Sequence, residues 1–187
     1  MFATILNSMA EHWSIWFVTV LLIVAAVIDG IQLKVPNWLT FPFIISGWIY
    51  SFVAFGFSDG LLYSLAGTAV GLALLLPLWA IGGMGGGDVK LLAGIGAWVH
   101  MTHTLWAFVF TAIVGAIMAV CMVLYKKSWG KHYSQFWGIL QEIATIKDPA
   151  KLSEIAANRK PTMFLLPYGI PMAIGTIAYF AWGGLLM

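Results

Sequence analysis

WAIGGMGGGDVKLLAGIGAWV, residues 79 to 99, sets five glycines and an aspartate between two apolar runs. A carboxylate directly after three glycines, where one apolar segment turns back into the next, decides how the rest is read. The whole chain is apolar. Of its 187 residues 61% are hydrophobic and 9% charged, and mean hydropathy is +0.94, against roughly half apolar and a quarter charged in soluble domains. These values indicate an integral membrane protein. A bilayer core needs about 20 apolar residues per helix, which leaves room for about six spans.

Outward from the glycine run, helices are expected near residues 13 to 29, 38 to 56, 61 to 81, 88 to 102, 104 to 125 and 163 to 185. The fourth has the shortest apolar core, LLAGIGAWV, and spans only if Asp88 and Lys90 lie in its first turn with Lys90 snorkelling to the interface. KVPN, FSDG, the glycine run and HMTH are read as turns between the first five. The first segment lacks a basic residue before its apolar run, unlike a secretory signal, so it is expected to be a retained helix. The expected class is thus all-α, a polytopic membrane protein forming one embedded domain over residues 1–187.

Charge gives the orientation. All nine Lys and Arg (Lys34, Lys90, Lys126, Lys127, Lys131, Lys147, Lys151, Arg159 and Lys160) fall on one side of this layout, while the other side carries Glu11 and Asp59. Basic residues concentrate in short cytoplasmic loops, so both termini are expected outside, on the periplasmic face. The polar stretch 126–162 becomes a cytoplasmic loop. Within it HYSQFWGILQEIATIK has helical apolar spacing and reads as an interfacial helix on anionic lipid.

Five of the seven acids have ordinary explanations: Glu142, Asp148 and Glu154 in the polar loop, Asp59 in a turn, and Glu11 outside the first helix. Asp29 and Asp88 remain, both at the cytoplasmic ends of their helices. Singly, each reads as a helix-end acid, with Asp88 capping its own helix. Together they also suit acid–base chemistry, because two close carboxylates share a proton and one activates water while the other polarises a carbonyl. Gly85, Gly86 and Gly87 are then expected to use backbone angles closed to other residues and to let a peptide approach. Lys90 either tunes the pair or snorkels, and Gly67 with Gly71 reads as a close-packing pair. The lone Cys121 forms no internal disulfide, and His100 and His103 fall on the outer side, so no metal is expected.

These stretches resemble the type IV prepilin peptidase family, membrane aspartic proteases with a GxGD motif. Gly85, Gly87 and Asp88 fill the motif with Gly86 at its variable position. DGIQLKVPNWLTFPFIISGW from Asp29 and LPYGIPMAIG at 166–175 resemble the family's other two conserved stretches. The resemblance implies that Asp29 and Asp88 are the catalytic pair, supported by Lys34, Pro36 and Asn37. They would cut the short basic leader from pilin-like precursors at the cytoplasmic face of the inner membrane. No cofactor and no nucleic-acid partner are implied; lipid is the other partner, and oligomeric state is open. Larger members also N-methylate the product and carry an added region with paired cysteines. With about seven residues after Asp29 and no CxxC, this chain resembles the compact peptidase-only forms that accompany Flp-type tight-adherence pili. The alternatives are a small proton-coupled transporter and a non-catalytic assembly protein. A transporter would line a path with polar residues, and none are evident toward the outer half.

Overall fold

A computed structural model describes residues 12–80, 84–125 and 167–186. The interfacial segment expected within 126–162 lies outside the described residues. Within them all regular structure is helical: α1 (Trp13–Gln32), α2 (Asn37–Gly56), a π-helical turn (Phe57–Leu62), α3 (Tyr63–Ala80), α4 (Gly86–Tyr125) and α5 (Gly169–Trp182). Three stretches, Trp13–Gln32, Asn37–Ala80 and Gly86–Met122, are long and apolar enough to cross a membrane. Their outer faces carry Val20, Val27, Ile45, Ile49, Val53, Ile113, Ile117 and Val120 in the open, far more apolar surface than a water-soluble monomer exposes.

The chain changes direction by three different devices. Leu33 closes α1 in the left-handed region (φ 54) and returns its N–H to the Asp29 carbonyl at 2.8 Å. Pro36, extended and unable to donate, then opens α2 by accepting from the N–H groups of Leu39 and Thr40. FSDG is not an open turn: Gly56 (φ 82) breaks the helix, and one π turn tucks Gly60 against the backbone of Ser51. HMTH does hold a break, but a tight one: two helices meet there at a single non-helical residue, His100 (φ 63, ψ −178), and together make up α4.

His100 divides α4 into a first arm, residues 86–99, and a second arm, residues 101–125. The first arm, short by sequence, is the centre of the molecule. Every residue from 91 to 99 is buried, the signature of a helix apolar on all sides, and at 1.5 Å per residue it is only about 21 Å long. Small residues let its neighbours close in, the usual means of packing helices where lipid removes the hydrophobic drive. Gly67 and Gly71 of α3 meet the backbone at Gly96 and at Leu92 and Ala93, so α3 runs antiparallel to this arm. Gly94 faces the Phe43 ring and Gly47 faces Ala97 and Trp98, so α2 runs parallel to it. The second arm pairs antiparallel with α5, through Gly175 on Thr111 and Tyr179 on His103.

These directions bring the end of α1 and the starts of α2, α4 and α5 to one end of the bundle. The opposite end contains the polar groups whose absence was expected. The carbonyl of Ala97, one turn before the break, accepts from the hydroxyls of Ser51 and Ser64. Thr104 donates to the carbonyl of His100 at 2.6 Å, and Trp48 donates to Thr68, which donates on to the carbonyl of Ser64. Inside a bilayer a broken helix must have its freed backbone groups satisfied by neighbouring side chains. These hydroxyls end on carbonyls beside the break rather than lining a path.

Candidate active site

Asp29 sits one turn before the end of α1 and is 2% exposed. Its Oδ2 accepts the backbone N–H of Gly169 at 2.7 Å. Gly169 is the first residue of α5, so this amide has no partner within its own helix and lies at the positive end of the helix dipole. A Cβ on Gly169 would stand 2.9 Å from both Oδ2 and Cβ of Asp29. Only glycine allows the approach.

Asp88 lies in the first turn of α4, 7% exposed, where its charge complements the dipole of that helix. The three glycines before it work by what they lack rather than by unusual angles. None of them has a φ in the left-handed region. A Cβ on Gly85 would sit 3.0 Å from Asp88 Oδ2, and one on Gly86 would sit 3.3 Å from Trp79 Nε1. One on Gly87 would collide with the carbonyl oxygen of Val35 and stand 3.1 Å from its Cβ. The segment between α1 and α2 is therefore laid directly on the start of α4, with Val35 buried beneath it.

Lys90 extends the same contact. Its Nζ donates to Asn37 Oδ1 at 2.8 Å and stands 4.7 Å from the centre of the Phe41 ring. It ties α4 to the start of α2, an arrangement that neither of the two expected roles described. Pro36 and Asn37 thus join the first motif to the second, whereas Lys34 is exposed.

The residue before Gly169 completes the group. The phenol ring of Tyr168 packs over Gly115 of the second arm, at 3.4–3.5 Å from where a Cβ would stand. The Gly169 amide ties the start of α5 to Asp29, 59 positions before Asp88 in the chain. Sequence reading marked the stretch LPYGIPMAIG but placed neither residue in the site. The available signal was a Tyr-Gly pair opening the last apolar helix, on the same side as both acids in an alternating layout.

His100 and His103 lie at the other end of the bundle, beside Ser51 and Tyr179 respectively. Among the described residues no three His, Cys, Asp or Glu side chains gather as a metal site. The group at the acid end offers two buried carboxylates, a fixed amide donor and a phenol. That chemistry suits moving a proton to and from water and a carbonyl.

Residues 16–120 match the type IV leader peptidase family. A prepilin leader peptidase/N-methyltransferase of Aeromonas hydrophila is 30% identical over 118 residues, covering 58% of this chain and 39% of its own. The protein of the same description from Bacillus subtilis is 34% identical over 109 residues, covering 56% of this chain and 42% of its own. One from Xanthomonas campestris is 31% identical over 112 residues. The chain thus spans about two-fifths of the length of the curated relatives it matches. No solved structure matches it. With both acids and the glycine run inside the matched segment, the chain belongs to the type IV leader peptidase family.

Proposed function

We propose that this protein is an aspartic prepilin peptidase that removes the short basic leader of type IV pilin-like precursors. Asp29 and Asp88 are the reacting pair: one carboxylate activates water, and the other, holding the shared proton, polarises the scissile carbonyl. The observation that best supports this reading is that the end of α1 and the start of α4 each hold a buried carboxylate at the same end of the bundle, with Asp29 held by the Gly169 amide and the start of α4 packed through Gly87 on Val35 just after α1. The Gly169 amide fixes the orientation of the Asp29 carboxylate. The two carboxylates are proposed to titrate as a unit that shares one proton, with no separate acid or base role given to either.

Six membrane crossings, with both termini outside and the acids at the cytoplasmic face of the inner membrane, complete the proposal. Its support is the placement of all nine basic residues together with the alternating helix directions. A helical substrate backbone is shielded by its own hydrogen bonds, so cleavage falls at the unwound leader junction near the interface. We propose peptidase chemistry alone, in the compact form that serves Flp-type pili. What supports this is the segment of about seven residues after Asp29 and the lack of a CxxC pair in this sequence.

The test is to mix the purified protein with a pilin-like precursor in detergent and follow leader release on gels. The parent is expected to cleave. Asp29→Ala and Asp88→Ala are each expected to be inactive, and full cleavage by either variant would refute the pair.

A further inference from the structure

A leader peptidase must hold more than the bond it cuts. The pilin-like precursors that the family resemblance implies carry a hydrophobic helix just after the leader, which stays in the membrane and so has to run along the enzyme away from the two acids. The structure has an apolar groove in that position. A cavity of about 380 Å³ lies between α1 and α5, lined by Ile23, Val27 and Gly30 on one side and Ile170, Ile174 and Ile177 on the other.

One end of this groove adjoins the site, since Gly30 follows Asp29 and Ile170 follows Gly169, the pair joined by the 2.7 Å hydrogen bond. From Gly30 to Ile23 and from Ile170 to Ile177 the walls run seven residues, about 10 Å or two helical turns at 1.5 Å per residue. Ala26 and Ala173 also line it, and every lining residue is apolar. Gly30 is informative in a second way. A Cβ there would meet only Ile170 Cδ1, at an ordinary 3.5 Å, so the packing of α1 on α5 does not require glycine. Within a helix glycine is less stabilising than alanine, so packing alone does not favour it at this position. Here it leaves the groove open beside Asp29. A second apolar groove, of about 580 Å³ between Trp13, Ile49, Val53 and Trp98, lies toward the opposite end of the bundle and makes no such connection.

We infer that the groove between α1 and α5 seats the first two turns of the precursor's hydrophobic helix, so that the residue after the cut enters beside Asp29. This rests on the peptidase reading. A lipid chain is the competing occupant.

The experiment uses the full chain with Cys121→Ser and Asp88→Asn, which holds the precursor uncleaved, and a precursor with one cysteine in the first two turns of its helix. Ile174→Cys is expected to form a disulfide with the precursor under mild oxidation, and Ile49→Cys in the second groove is not. In an otherwise unaltered enzyme Val27→Trp, which fills the groove, is expected to raise KM about tenfold or more with kcat little changed, while Ile49→Trp changes neither. No adduct at Ile174→Cys while the parent cleaves the precursor would mean that the groove holds lipid, and would overturn the inference. Equal adducts at both positions would overturn it as well. A parent that does not cleave at all would instead remove the peptidase reading on which the inference rests.

Discussion

A side chain on Gly87 would drive into the backbone of Val35, which has nowhere to go while Pro36 and Asn37 hold the start of α2. Gly87→Ala is therefore expected to destabilise the protein by about 1–3 kcal/mol, as overpacking of a buried contact does, and to lose cleavage together with thermal stability in detergent. Gly85→Ala is expected to behave differently. Its Cβ would press on the tip of a carboxylate rather than on backbone, so stability stays within about 1 kcal/mol of the parent while cleavage falls roughly tenfold or more. Lys90→Met tests the lysine. Tied to Asn37 rather than to the acids, it is expected to leave the cleavage rate within about threefold of the parent; a collapse in rate with intact folding would mean that its charge tunes the pair. The two acids were legible in the sequence because a carboxylate at the end of an apolar run has few reasons to be there. Gly169 was legible only as part of a Tyr-Gly pair opening the last apolar run; its role rests on a backbone amide and a missing Cβ, which sequence alone does not assign.

At the level of elements, apolar runs and glycines announced the helices but not how one becomes the next. One residue with φ 63 is enough to redirect α4, and a single π turn serves where FSDG reads as a loop. The short run LLAGIGAWV read as the weakest span because length was the only measure available. Burial on every side explains it better, and that burial depends on glycines in α2 and α3 far away in sequence. The Ser51 and Ser64 hydroxyls near the break come from other helices, so no local pattern reveals them. Ser64→Ala would withdraw one of the two donors to the Ala97 carbonyl. A cost of about 1–3 kcal/mol is expected, read as a lower unfolding temperature with cleavage unchanged below it, since the break lies at the end away from Asp29 and Asp88.

For the molecule as a whole, orientation and chemistry are linked, because the acids must face the compartment that holds the leader. In a Cys121→Ser background, Lys34→Cys is expected to react with an impermeant thiol reagent only in inverted membranes; labelling from outside intact cells would reverse the topology. The most direct measurement of the central claim, that Asp29 and Asp88 act as one unit, is a double-mutant cycle on leader release. Parent, Asp29→Asn, Asp88→Asn and the double variant would be compared at equal folded concentration. Each single variant is predicted to lose on the order of a thousandfold or more, and the double to be no slower than either, as for groups that act together. A single variant that keeps the parental rate, or losses that multiply in the double, would contradict it.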